Sequence, residues 1–273
     1  MRNTALLAVA CLLALSGATA SAETQACTTI SSIPTTITSP GTYCLKTHLS
    51  TWMSSGAAIG IMASDVRLDL NGWTLAGPGI GTAARGIYVS DVAERVTVEN
   101  GTVTGFLRGI DAWGPGVRLE NLLLDHNTSF GIRVAGTGSL VRANRVISTG
   151  GAKADEGSAG LGIYVGGAAS LVDGNLVSGL THRGDAGEIG IYLVNAHNTV
   201  LRNNVVIDDE KPDEKWSHGI SVNGSKSVTV QNNSITNFWY GLGYWGSDGT
   251  YAQNVVVGCD APYSGGTKGS DND

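Results

Sequence analysis

The chain has 273 residues, 17 Lys+Arg against 23 Asp+Glu for a net charge of −6, and 39 glycines, about double the usual glycine share. That acidic balance argues against a nucleic-acid partner, which calls for a basic face. It leaves room for an acidic polysaccharide held in a local basic pocket. Beyond the N-terminus no stretch carries helical periodicity, and short β-branched runs alternate with Gly, Asn and Asp, the pattern of an all-β chain.

Residues 1–22 read as a signal peptide: Arg2 supplies the positive end, residues 5–15 an apolar run, and Ala20, Ser21 and Ala22 a small-residue cleavage site. The apolar run is too short for a membrane span, so a secreted or periplasmic product with no membrane partner is expected. Loss of Arg2 makes the remainder one charge more acidic, and Cys11 leaves with the leader. In an oxidising compartment Cys27 and Cys44 are natural disulfide partners. They fall in residues 23–55, a stretch with Pro34 and Pro40 that reads as an N-terminal cap. Cys259 is left over, either buried as a small hydrophobe or a free thiol.

Residues 56–257 repeat. A Gly-Ile-x-Val unit starts at Gly60, Gly86, Gly109, Gly131, Gly162, Gly190, Gly219 and, in degenerate form, Gly241, at intervals of 22 to 31 residues. Each unit is followed by an alternating strand running into an asparagine: Asn71, Asn100, Asn121, Asn144, Asn175, Asn204, Asn233 and Asn254. Such intervals fit one coil of a solenoid. Eight coils stacked about 4.8 Å apart would share one apolar core, and asparagines in register would form a buried amide ladder. Residues 258–273 read as a loose C-terminal tail.

These units resemble the right-handed parallel β-helix family, the pectin-lyase-like superfamily, and the likeness covers residues 56 to about 257. It implies a single-stranded right-handed parallel β-helix of about eight coils. It implies function only by class, since the superfamily holds lyases, epimerases, hydrolases, adhesins and proteins of unknown role.

Strand alternation turns Ile and Val inward and x outward. The outward row then reads Met62, Tyr88, Asp111, Arg133, Tyr164, Tyr192, Ser221 and Gly243, with Trp113 and Trp245 two positions further on. In β-helix enzymes that act on polysaccharide, this face commonly forms the substrate groove, so the resemblance implies a groove here. Three long connections, residues 148–161, 178–189 and 207–218, would flank it, and solenoid insertions often build a binding site. They bring His182, Arg183 and His218, while His126 occupies the equivalent turn two coils earlier.

A uronate lyase or epimerase must neutralise the substrate carboxylate, remove the C5 proton and supply a proton. Arg suits the first task, Tyr or His the others. Arg133, Tyr164, His182, Tyr192 and His218 are therefore the candidate catalytic residues, with Tyr88, Asp111, Trp113, His126 and Arg183 as candidate substrate contacts. A non-catalytic glycan-binding or structural module is the rival reading. The segment Ser217-His218-Gly219-Ile220-Ser221 is similar to a polygalacturonase stretch. That family also requires aspartates on the two preceding coils and an Arg-x-Lys on the following one, and Leu161, Glu188-Ile189 and Leu242 to Tyr244 stand at those positions, so the acid–base pair is not assembled. The acid-rich loop 208–214 lacks an EF-hand-like spacing and reads as a solvated charge run rather than a Ca²⁺ site, and no cofactor is expected.

Overall fold

The computed structural model describes residues 26–152, 159–182, 187–209 and 216–272. The leader, Arg183 and most of the acid-rich loop lie outside the described residues. The described chain is all β-strand and turn, wound into a parallel solenoid. One ten-stranded sheet, here the front sheet, runs from Thr35–Ile37 through the Gly-Ile-x-Val strands to Ala261–Ser264. An eighteen-stranded sheet folds around the remaining sides.

The repeat explains the winding. Ile59, Ile87, Ile110, Ile132, Ile163, Ile191 and Ile220 are fully buried in one column, each worth about 1.5–3 kcal/mol of burial. Each of these except Ile59, which follows Ala58, is preceded by a glycine within the same front-sheet strand. A Cβ on Gly162 would stand 2.5 Å from both Val177 Cγ1 and the Gly190 carbonyl oxygen, so only glycine lets consecutive coils close up there.

The asparagine ladder is real but shorter than the repeat suggested. Asn144, Asn175, Asn204, Asn233 and Asn254 are buried. Each of Asn144, Asn175, Asn204 and Asn233 donates its amide to the Oδ1 of the next, at 2.9–3.0 Å. Asn71, Asn100 and Asn121 do not belong to it: they occupy a neighbouring column with positive φ, shared with Ala143, Gly174, Asn203, Asn232 and Gln253. Leu122, not Asn121, is level with Asn144 and donates its backbone N–H to Asn144 Oδ1. A shift of one residue exchanges inside for outside, so three expected ladder members stand at positive-φ positions outside the ladder instead.

Both ends extend the solenoid. Thr28–Ile30 and Gly41–Leu45 pair in parallel, and Cys27 is bridged to Cys44 with a Cα–Cα distance of 5.8 Å. Residues 258–272 are not a loose tail: Ala261–Ser264 pairs with the last Gly-Ile-type strand, and Thr267–Lys268 pairs with Gly249–Ala252. Asn272 Oδ1 accepts from Asn254, continuing the ladder. Tyr251 stacks on Tyr263 at 5.0 Å and Tyr244 packs beside Tyr251, closing this end of the core with aromatic rings. Cys259 is a half-buried thiol.

Candidate functional site

The front-sheet register places Tyr88, Asp111, Arg133, Tyr164, Tyr192, Ser221 and Gly243 on successive rungs of one outward column. Gly60, not Met62, is their neighbour at the N-terminal end. The sequence reading overlooked a second outward column, the residue before each glycine: Arg85, Arg108, Phe130, Leu161, Ile189, His218 and Tyr240. His218 therefore stands on a front-sheet strand rather than in a flanking loop.

The two columns meet around Asp111. Expected as an exposed substrate contact, its carboxylate is instead fully buried beneath three arginines. Arg85 Nε lies 3.0 Å from Oδ2, Arg108 Nη1 3.5 Å from Oδ2, and Arg133 Nη1 3.7 Å from Oδ1. The physical reason is the overlooked column, which brings two of the guanidiniums over a carboxylate on the row. Three cations against one anion leave a surplus of positive charge on an acidic chain. Arg133 also lies 4.2 Å above the Trp113 ring and 5.6 Å from Tyr164, within cation–π range. Arg85 caps Tyr88 at 4.8 Å.

Down the groove the row turns aromatic. Tyr164 contacts Phe130 and Tyr192 edge-on, with ring centroids 6.0 and 5.9 Å apart. Burial raises the Tyr164 pKa, opposed by the Arg133 charge, so the hydroxyl stays protonated at neutral pH. Tyr192 Oη accepts a hydrogen bond from Asn223 Nδ2 at 3.3 Å. Beyond it, Tyr192, Trp216, His218, Tyr240 and Trp245 line a concavity of about 430 Å³. His218 stacks on Tyr240 at 4.8 Å, and Trp245 stands edge-on to both. Burial lowers the His218 pKa to about 4, so its imidazole is neutral at physiological pH.

The other two candidate histidines belong elsewhere. His182 Nδ1 lies 2.8 Å from Glu188 Oε1, and His126 Nδ1 lies 2.6 Å from Asp125 Oδ1. With Thr181, Asp208 and Asp209 they line a separate, larger concavity of about 970 Å³. It sits at the corner from which the long connections spring. Arg133, Tyr164, Tyr192 and His218 thus share the front face, while His182 and His126 share the corner. Among the described residues no group of three or more His, Cys, Asp or Glu is arranged to hold a metal.

Known proteins place this architecture. No curated protein matches the chain by sequence. Among solved structures, the Dettilon tailspike protein superposes with a TM-score of 0.60 at 15% identity, over 89% of this chain and 54% of that one. The chain thus spans about half of the tailspike's length. A DFA-IIIase from Arthrobacter chlorophenolicus A6, solved with DFA-III, gives a TM-score of 0.57 at 12% identity, over 86% of this chain and 59% of that one. An alginate lyase from Paenibacillus sp. gives 0.50 at 15% identity, over 84% and 93%. At such identities the likeness is one of fold. The sequence profile of the right-handed β-helix region matches residues 79–261, and the chain belongs to that family.

Proposed function

We propose that the front face binds an acidic glycan and cleaves or epimerises it at a uronate residue, as a secreted or periplasmic protein. One observation carries this reading: Arg85, Arg108 and Arg133 converge on the single carboxylate of Asp111, and the resulting positive seat runs directly into a row of tyrosines. A substrate carboxylate over the arginines would be neutralised, which acidifies the proton at C5. Of the tyrosines on the next two rungs, Tyr192 is the group to take that proton, and Tyr164, whose hydroxyl stays protonated, is the group to donate one, to the departing oxygen as its bond to C4 breaks or back to C5. The alginate lyase among the fold relatives supports a glycan substrate, as does the DFA-IIIase solved with DFA-III. The leader-like N-terminus and the Cys27–Cys44 bond support export.

A second reading, a non-catalytic acidic-glycan module, rests on the corner position of His182. Its pairing with Glu188 turns an expected catalytic imidazole away from the row. Incubation with a panel of uronate polysaccharides separates the two. Growth of unsaturated-product absorbance marks a lyase, and a change in the C5-proton NMR signal marks an epimerase. Tyr164→Phe should then lower kcat about 10²-fold or more with little change in KM, the size expected for loss of a positioned proton-transfer group. Arg133→Gln should lower kcat/KM through both terms. Binding without product leaves the module reading, and no binding of any acidic chain defeats both.

A further inference from the structure

The groove contains two seats of opposite chemistry. The arginine seat is cationic. The aromatic concavity, centred on the Ser221 rung, is lined by Tyr192, Trp216, His218, Tyr240 and Trp245, with no Lys, Arg, Asp or Glu among the described residues that line it. The two lie along one column, Arg133–Tyr164–Tyr192–Ser221, three rungs or about 14 Å apart. Resting on the reading of this face as an acidic-glycan groove, we infer that the aromatic concavity is a subsite for an uncharged sugar ring. The preferred substrate is therefore a heteropolysaccharide that mixes uronate with neutral residues, rather than a homopolymeric uronan.

Three features of the concavity point that way. Tyr240, Trp245 and Trp216 offer flat apolar faces of the kind that stack on the C–H face of a pyranose. His218 is neutral at physiological pH and provides no counter-charge, so a carboxylate seated there would be desolvated without a partner. Finally, His218 Nδ1 and Trp245 Nε1 are both buried without a hydrogen-bond partner, whereas buried polar atoms are ordinarily satisfied. Ring hydroxyls both donate and accept and meet these atoms once a shift of the two rings uncovers them. The Trp245 indole lies over Gly243, where a Cβ would stand 2.7 Å from Nε1. With no side chain on that rung, the indole has room to lie flat or lift as a ring enters.

Calorimetric titration of the full chain tests the inference with three oligosaccharides of equal length. They are an alternating glucuronate–N-acetylglucosamine chain, a homopolymeric galacturonate and a neutral glucan. The alternating chain should bind at least tenfold more tightly than the homopolymer. Trp245→Ala should erase that preference, weakening the alternating chain about tenfold and the homopolymer less than twofold. Trp216→Ala should do the same in part, and because Trp216 is 66% exposed its removal leaves the core intact. Arg133→Gln should weaken both acidic chains together. Equal affinity for the two acidic chains, or tryptophan substitutions that weaken both alike, overturns the neutral subsite while leaving the acidic-glycan groove standing. Failure of both acidic probes to bind overturns the groove reading, and the subsite with it.

Discussion

The corner lined by Asn144, Asn175, Asn204, Asn233 and Asn254 and the front face bearing Asp111, Arg133, Tyr164 and Tyr192 are wound from the same coils. At the corner each coil repeats its neighbour: the same residue, burial and amide-to-amide bond at 2.9–3.0 Å. On the front face no two successive rungs from Tyr88 to Tyr164 carry the same side chain, although the backbone register is equally regular. Repetition is what a solenoid needs to satisfy its buried polar groups. Departure from repetition, on a face whose backbone tolerates any outward residue, is where selection has room to place chemistry. Damage to the corner should therefore appear as lost stability, and damage to the face as altered binding or turnover.

The sharpest test of that division is Asn175→Leu. Asn175 Oδ1 accepts from both the backbone N–H and the side-chain amide of Asn144, and its own amide donates to the Val141 carbonyl and to Asn204 Oδ1. Leucine leaves the buried Asn144 N–H without its partner and takes one bond each from Asn144 Nδ2, the Val141 carbonyl and Asn204 Oδ1, at about 1–3 kcal/mol for a buried group left unpaired. A loss of about 3 kcal/mol or more in chemical unfolding is expected, with glycan affinity per folded molecule unchanged. A loss below 1 kcal/mol would mean the corner relaxes and the ladder is ornament.

Gly162→Ala should come next. The added methyl group meets Val177 Cγ1 and the Gly190 carbonyl oxygen at 2.5 Å, and overpacking of this kind costs about 1–3 kcal/mol. Because Gly162 lies two residues before Tyr164, the substitution also asks how tightly core and face are coupled. A stability loss with kcat unchanged keeps them separate, and a matched fall in kcat joins them.

A smaller effect is expected from pH. His218 titrates near 4 in the folded chain because burial disfavours its charged form, against about 6.5 when unfolded. Between these values the unfolded state binds the extra proton, so stability contributed by neutral His218 is full above about pH 6.5. It falls as pH drops towards 4, below which the contribution is flat. Unfolding midpoints from pH 4 to 7 should show a steeper acid limb for the wild type than for His218→Gln. Parallel limbs would show that the imidazole is solvated and the aromatic concavity open.

These contrasts also mark what the sequence made legible. The coil, its core column and the pairing of Cys27 with Cys44 follow from spacing and composition, because a solenoid repeats its constraints often enough to be seen. The arginine cluster was half legible. Alternation places Arg133 and Asp111 on one row, but the burial of Asp111 depends on Arg85 and Arg108, each one position before the glycine that opens the repeat unit. Extending the unit by one residue would have revealed the second column. His182 was misplaced because its environment depends on Glu188 and on the course of a long connection, neither of which is periodic. Residues 258–273 looked like a tail because their composition is that of turns, yet backbone pairing with the preceding coil needs no side-chain signature.

The mildest substitution separates the two asparagine columns that the sequence had merged. Asn121 is exposed, with φ of +55°, and Ala143 occupies the same column one coil later at +54°. Alanine is thus already accepted by that backbone, and Asn121→Ala should cost less than about 1 kcal/mol, the range of a surface change away from any buried network. Asn144→Ala, one position along in the register, removes bonds to the Leu122 N–H and the Leu119 carbonyl and should cost severalfold more. Measured side by side in urea, equal losses would place Asn121 back in the ladder and contradict the register. A wide gap would show that the same residue type, one step apart in the repeat, holds a positive-φ position on one column and serves as an internal hydrogen-bonding spine on the next.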